Sequence, residues 1–284
     1  MIAAKTAKKP YLSPTQIEMF TGCGEAYRRR YIEGDKIPPG IALVKGTAVH
    51  IGAALNFEQK IESFEDLRPS EIIDASVAAL EGRVKVEGLL LTDDEKAIGK
   101  AKVFGECKDS TVRLAGLFSR EVAPLYQPKY VEKDVTIPLP NSSHDLKGIL
   151  DLVSVEDELV DLKTGKKKKN QKDWDDSPQM TTYALTKKHL DGKLPKKIII
   201  EQLVDSGKSE PKRHYFETTR SLPDFKALGH RINAVIKGIT SGVFVPAPAG
   251  YWKCSPVYCG FWGTCPYVNS ERKAAAKVAD TFAA

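Results

Sequence analysis

Two neighbouring segments of the chain resemble the strands of a β-hairpin, yet each carries an aspartate among its apolar residues. They are "LKGILDLVSV" (146–155) and "LVDLKT" (159–164), separated by a predicted tight turn at 157–158. If the two strands pair, Asp151 and Asp161 approach each other on the sheet. An unpaired buried carboxylate is energetically expensive. The fold must therefore bring a cation to this pair of carboxylates.

Two kinds of cation meet that requirement. Lys163 shares a strand face with Asp161, because side chains alternate along a strand, and it can form an ordinary ion pair at a sheet edge. A divalent metal is the other answer, since carboxylate oxygens suit Mg²⁺ or Mn²⁺. The hairpin residues alone leave both answers open.

The hydrophobic pattern places helices before and after a group of strands. The predicted helices span 13–21, 46–62, two or three segments within 68–124, 177–190 and 222–241, and the predicted strands span 130–140, 146–155, 159–164, 196–205 and 213–219. This order predicts a single α/β domain over residues 1–284. Its predicted parts are a helical N-terminal part (1–125), a core (126–245), and a cysteine-rich segment with a tail (246–284).

A run of lysines follows the second aspartate-bearing strand at once. It contains Lys166, Lys167, Lys168 and Lys169. The formal net charge of the whole chain is only +6, so this run is a local concentration of positive charge. A solvated loop is one interpretation of such a run. A surface that holds a phosphate backbone beside the carboxylates is the other.

Two polar motifs lie on predicted helices. His50 closes the sequence "GTAVH" (46–50). Gln179 and Tyr183 lie four residues apart within "QMTTY" (179–183), so they share one helical face. Each motif alone is compatible with an ordinary packed histidine or a polar helix edge.

Taken in order, "GTAVH", "GILD" (148–151), "DLK" (161–163) and "QMTTY" resemble the RecB-type branch of the PD-(D/E)xK nuclease superfamily. That branch includes the nuclease domains of helicase–nuclease repair complexes and the exonucleases associated with CRISPR adaptation. Leu150 stands where the superfamily name has a proline, a departure that this branch commonly shows. The resemblance implies a restriction-endonuclease-like core, in which helices flank a central mixed β-sheet.

The resemblance also implies roles for individual residues. The implied ligands of one or two Mg²⁺ or Mn²⁺ ions are His50, Asp151, Asp161 and the main-chain carbonyl of Leu162. Lys163 would position or help to deprotonate the attacking water and steady the scissile phosphate. Gln179 and Tyr183 would orient the site or the DNA strand. A metal lowers the pKa of a bound water and neutralises charge in the transition state.

Three of the five cysteines lie close together after the predicted core. Cys254, Cys259 and Cys265 have the spacing C-x4-C-x5-C, and Cys23 is the natural fourth member of a ligand set. An odd number of cysteines in a chain without a secretory start argues against a disulfide framework. In several nucleases of the resembling branch this layout binds a [4Fe–4S] cluster. A zinc ion is the alternative ligand. The cysteines could also be ordinary buried thiols that bind nothing. The cluster would act as a clasp that closes a very long loop.

The sequence therefore predicts a metal-dependent DNA nuclease, expected to be an exonuclease, that serves recombination, repair or replication. The main alternative is a catalytically silent nucleic-acid-binding or assembly module of the same fold. A zinc-stabilised interaction protein would explain the cysteines but not the aspartates.

Partners and location follow from what the sequence lacks. No "GxxxxGK[ST]" motif occurs, so any unwinding of DNA would come from a partner. A recombinase, a helicase or a single-strand-binding protein is the expected kind of partner. No stretch approaches the roughly 20 apolar residues of a membrane span, and the first residues lack the apolar segment of a secretory signal. We expect a cytoplasmic protein with no membrane partner, in the host cytoplasm if a phage encodes it.

Overall fold

In a computed structural model, which describes residues 9–248 and 250–268, a mixed β-sheet lies between two layers of helices. The strands are β1 (Tyr11–Leu12), β2 (Pro128–Ile137), β3 (Asp145–Ser154), β4 (Leu159–Gly165), β5 (Ile198–Val204) and β6 (Lys212–Thr218). The helices are α1 (Pro14–Gly22), α2 (Gly24–Tyr27), α3 (Ile41–Ser63), α4 (Pro69–Glu87), α5 (Asp93–Ile98), α6 (Lys100–Glu121), α7 (Gln171–Asp175), α8 (Pro178–Asp191) and α9 (Leu222–Thr240). The predicted tail beyond residue 268 lies outside the described residues.

Local sequence signals set where several helices begin and end. The Ser13 N–H donates to the Gln16 side chain, and the Gln16 N–H donates to the Ser13 hydroxyl, so α1 starts in a capping box. Thr92 and Glu95 form the same arrangement at the start of α5. Gly88, with φ of 75°, ends α4. The predicted break in the helical region near this glycine is confirmed.

Strand β3 organises the sheet. β2 pairs with it in antiparallel fashion along one edge. Along the other edge, β1 pairs in parallel with the start of β3, and β4 pairs in antiparallel fashion with its end. β5 then pairs in parallel with β4, and β6 in antiparallel fashion with β5. The predicted α/β fold with a central mixed sheet flanked by helices is confirmed, whereas the sequence pattern does not predict β1, which is only two residues long.

Apolar side chains cover both faces of the sheet. On one face, Phe57 of α3 and Phe118 of α6 pack edge to face, with ring centroids 5.3 Å apart, in the cluster that includes Leu152 of β3. On the other face, Met180 of α8 packs in a cluster with Leu159 of β4. Burying a side chain of this size contributes about 1.5–3 kcal/mol. The helices therefore fix the two strands that carry the aspartates. None of the described helices is long and apolar enough to cross a membrane.

Candidate active site

The site lies where β3 and β4 separate. The ladder between these strands consists of the pairs Val153–Leu159 and Leu152–Val160, and one further step would place Asp151 opposite Asp161. Instead, the Asp151 carboxylate accepts the Leu162 N–H through Oδ2, at 3.0 Å. A side chain thus replaces the next backbone bond of the ladder. This exchange opens a gap in the sheet between β1 and the paired part of β4.

Three side chains from three elements converge at this gap. His50 of α3, Glu132 of β2 and Asp151 of β3 each offer one ligand atom, and these atoms all lie within 4.8 Å of one another. The His50 Nδ1 is 3.5 Å from the Asp151 Oδ2. The structure therefore brings together two of the predicted metal-binding residues, with Glu132 as an additional member.

A close approach of α3 to β4 positions His50. A Cβ atom added to Gly46 would lie 3.2 Å from the Thr164 hydroxyl, which is tighter than most side-chain contacts. Glycine at this position lets the helix pass near the end of β4. His50 then follows four residues later on the same side of α3 and reaches Asp151. This geometry is a physical reason for the glycine and the histidine in "GTAVH".

Glu132 is a site residue that the sequence interpretation missed. The register of β2 with β3, which pairs Val131 with Leu152 and Lys133 with Leu150, places Glu132 opposite Asp151. Its φ of 43° is uncommon for a residue other than glycine and is typical of strained functional positions. Glu132 is exposed as a residue, but desolvation of its carboxyl group beside the cleft, with the negative charge of Asp151, raises its pKa to about 7. Centring a β2–β3 hairpin on the turn-forming sequence "PNSS" (140–143) would have found Glu132, because the register of the two strands then follows.

Asp161 forms an ion pair with Lys163 rather than joining the close group of three. The Lys163 Nζ donates to the Asp161 Oδ1 at 2.6 Å and lies 2.5 Å from Oδ2. The Asp161 carboxyl is buried, and among the described residues its Oδ2 has no hydrogen-bond donor in good geometry. Burial raises the pKa of Asp161 to about 6 although Lys163 opposes this shift. Burial would lower the pKa of Lys163, but the Asp161 and Asp151 carboxylates hold it above its ordinary value.

Gln179 and Tyr183 meet on α8, as their spacing predicts. The Gln179 Nε2 donates to the Tyr183 hydroxyl oxygen at 2.7 Å. Burial, with the negative charges of Asp161 and Asp151, raises the pKa of Tyr183, so its hydroxyl keeps its proton and can donate it in a hydrogen bond. Tyr183 lines a cleft of about 740 Å³ together with His50, Glu132, Asp151 and Lys163.

The lysine run forms an exposed loop after β4, and one buried side chain holds it. Gln202 of β5 accepts the Lys169 N–H and donates to the Lys167 carbonyl, both at 3.0 Å. The ammonium groups of Lys168 and Lys169 lie 5.4 and 4.6 Å from the ring centroids of Phe216 and Trp174. The loop is therefore tied to the sheet rather than being an unanchored solvated segment.

The four predicted cysteine ligands also share one neighbourhood, which is separate from the sheet. Burial raises the pKa of the Cys259 thiol, and Cys23, Cys254 and Cys265 raise it further. All four line a cavity of about 320 Å³ between the α1–α2 junction and the segment after α9. The Ala247 N–H donates to the Cys23 Sγ at 3.4 Å. Among the described residues, no three of these sulfurs lie within 4.8 Å of one another.

Comparison with known protein families agrees with this architecture. The family model of the PD-(D/E)XK nuclease superfamily matches residues 11–266, and the chain belongs to that superfamily. A crystal structure named "Putative exonuclease" from Eubacterium rectale has the same fold, with a TM-score of 0.51, 15% sequence identity and coverage of 87% of each chain. The crystal structure of SSO0001 matches 76% of this chain and 96% of its own, with 13% identity and a TM-score of 0.35. No curated protein matches the sequence.

Proposed function

We propose that this member of the nuclease superfamily is a Mg²⁺- or Mn²⁺-dependent deoxyribonuclease of the RecB-type branch that acts as an exonuclease. The observation that carries the proposal is the convergence of His50, Glu132 and Asp151 where β3 and β4 separate, beside the Asp161–Lys163 pair. The name of the structural neighbour from Eubacterium rectale supports exonuclease action. The order of the four sequence motifs supports the assignment to the branch.

The residues at the gap suit a divalent ion. Carboxylates crowded together in a partly buried place need a compensating positive charge, and Glu132 with its pKa near 7 marks such a place. The Asp161 carboxylate lies beside this group and is buried, with the Lys163 ammonium 2.5 Å from its Oδ2. The proposed ligands are His50, Glu132, Asp151, Asp161 and the Leu162 carbonyl. The imidazole of His50 favours Mn²⁺ over Mg²⁺, which prefers oxygen ligands alone.

When bound, the ion would acidify water and offset the charge that develops on the phosphate. The protein's own groups supply the remaining tasks. Lys163, whose charge the neighbouring carboxylates stabilise, would hold a nonbridging phosphate oxygen and orient the water. Tyr183, held by Gln179, would donate a hydrogen bond to the substrate strand. The Leu162 N–H keeps the Asp151 carboxylate aimed at the gap.

The lysine loop suits the DNA backbone. Lys166, Lys167, Lys168 and Lys169 follow Lys163 closely along the chain, so a strand whose phosphate reaches the carboxylates passes near them. Each neutralised phosphate releases counterions and makes affinity depend on salt. A recombinase, a helicase or a single-strand-binding protein would be the partner that presents such a strand.

For the cysteine cavity we propose a [4Fe–4S] cluster, with Cys23, Cys254, Cys259 and Cys265 as its ligands. A single Zn²⁺ would hold its thiolates about 3.8 Å apart, given tetrahedral bonds of about 2.3 Å. No three of the four sulfurs are that close to one another among the described residues. A cluster of four irons is larger and separates its ligands further. The layout that these four cysteines share with nucleases of the resembling branch supports a cluster over zinc, and the resulting clasp would join residues 1–284 into a single nuclease domain.

The test is a nuclease assay on end-labelled single- and double-stranded DNA with anaerobically purified protein, in Mn²⁺, Mg²⁺ or EDTA. We expect metal-dependent cleavage that is faster in Mn²⁺ and is lost in Asp161→Asn. Asp134→Asn, an acid on β2 paired with Lys147 outside the cleft, is the matched control and should retain activity. DNA binding without cleavage in either metal would refute the enzyme and support the silent binding module instead.

A further inference from the structure

The active-site cleft has one wall of exposed aliphatic side chains. Leu43, Ile51 and Leu55 of α3, with Ile149 of β3, form this wall and are 41–55% exposed. Single exposed aliphatic residues are normal on protein surfaces. These four residues instead form one exposed apolar patch, and the patch lines the same cleft as the candidate catalytic groups. Exposed apolar patches of this kind mark binding sites.

The wall is continuous with the catalytic groups. Ile51 follows His50 directly, and Leu43, Ile51 and Leu55 are separated by multiples of four residues, so they form a stripe along α3. From Leu43 to Leu55 the helix rises roughly 18 Å, the length of several nucleotides. Ile149 lies two residues before Asp151 and leaves the same side of β3. A phosphodiester that reaches Asp151 therefore has the wall within one or two nucleotides.

The chemistry of the wall distinguishes paired from unpaired DNA. In a duplex the apolar faces of the bases are stacked inside, and the outer surface is a charged backbone. A second backbone pressed against aliphatic side chains would lose hydration without gaining any partner. Unpaired bases instead present apolar faces that side chains can cover. Aliphatic side chains can also insert between base steps at an opened end.

Building on the proposed nuclease function, we propose that this aliphatic wall contacts the bases of an unpaired strand and makes the cleft selective for single-stranded DNA. The phosphates of that strand face Lys163 and the metal ligands, and its bases lie against α3. A duplex end enters only when its terminal pairs have opened.

The experiment compares the parent with the double variant Ile51→Gln, Leu55→Gln. The readouts are kcat/KM on one labelled strand, presented alone or as a blunt duplex, and affinity for both forms by fluorescence anisotropy in EDTA. Val86→Gln is the matched control, since Val86 is an aliphatic residue of α4, 84% exposed, that does not line the cleft. Thermal melts check that every variant is folded.

We expect the parent to prefer the single strand. The double variant should lose about tenfold in single-strand kcat/KM and affinity, as 1.4 kcal/mol of lost contact implies, with duplex values within twofold. A parent that prefers the duplex, or a double variant that retains single-strand affinity, overturns the proposal and leaves the wall to a protein partner or a second copy. The anisotropy arm needs no cleavage, so a parent that binds single strands but cuts nothing would refute the nuclease and leave the wall's selectivity measurable.

Discussion

The carboxylate site and the cysteine site of this chain are built in opposite ways. His50, Glu132 and Asp151 stand on a long helix and two paired strands, whose positions the apolar clusters on the sheet already determine. The cysteines stand at a helix junction and in a segment after α9 whose described residues contain one short helical turn, Trp262–Thr264. We therefore expect the first site to hold its shape without a ligand and the second to depend on the proposed cluster. Substitution of a metal-binding side chain should therefore lower the cleavage rate at the first site and lower the stability of the fold at the second.

The largest effect should come from Asp151→Asn. This change preserves shape and an acceptor for the Leu162 N–H but removes the charge beside His50. We expect kcat/KM to fall by more than about 100-fold, since even groups that only support a metal ligand are worth 10–100-fold. The melting temperature should stay within about 2 °C of the parent. A large drop in melting temperature would show that this site, too, is structural and would erase the contrast between the two sites.

Cys259→Ser should have an intermediate effect, and the effect should be on stability rather than on the cleavage rate. If the proposed cluster holds the segment after α9, its binding energy stabilises that segment, so we expect loss of visible absorbance and a fall in melting temperature of several degrees. Cleavage should fall far less than in Asp151→Asn. The control is Cys107→Ala, in the buried cluster with Val44 and Leu80, which should keep the absorbance. If Cys259→Ser leaves both absorbance and melting temperature unchanged, the clasp does not exist.

The smallest effect should come from Gln202→Leu. This change tests the lysine loop, which is irregular like the cysteine segment but is held by the sheet like the carboxylate site. Losing two hydrogen bonds of about 0.5–1.5 kcal/mol each should loosen the lysine loop. We expect KM for DNA to rise severalfold with a shallower salt dependence, and kcat to stay within twofold. Gln127→Leu, which removes a hydrogen bond to the Lys60 carbonyl instead, should change neither. A fall in kcat with constant KM would mean that Gln202 supports the chemistry rather than the loop.

The sequence predicts the elements and candidate residues that depend on local patterns. The helix from Ser177 and the hairpin strands around Asp151 and Asp161 carry their own caps and alternation, and the structure has them within one or two residues of the prediction. What the pattern could not supply depends on register and distance. Glu132 enters the site only because of how β2 pairs with β3, and β1 exists only because Tyr11 and Leu12 find a partner more than 130 residues away.

The cysteine site also shows that a sequence pattern identifies residues but not the distances between them. The spacing of Cys254, Cys259 and Cys265 marks them as a set, but the distance between their sulfurs, which separates a cluster from a single ion, is a property of the folded chain. The ligand itself stays a prediction until the visible spectrum is measured.

The position of Cys265 along the chain has a consequence for biogenesis. During synthesis, every residue of the carboxylate site emerges from the ribosome before α9, whereas the sulfur set is complete only after residue 265 has emerged. Chains emerge and begin to fold from the N-terminus during synthesis. The sheet can thus assemble during translation, while anything that fills the cysteine cavity must be delivered afterwards. If the proposed cluster fills this cavity, we expect a cell short of it to accumulate chains with a formed sheet and a loosely held C-terminal segment, which proteases would attack first.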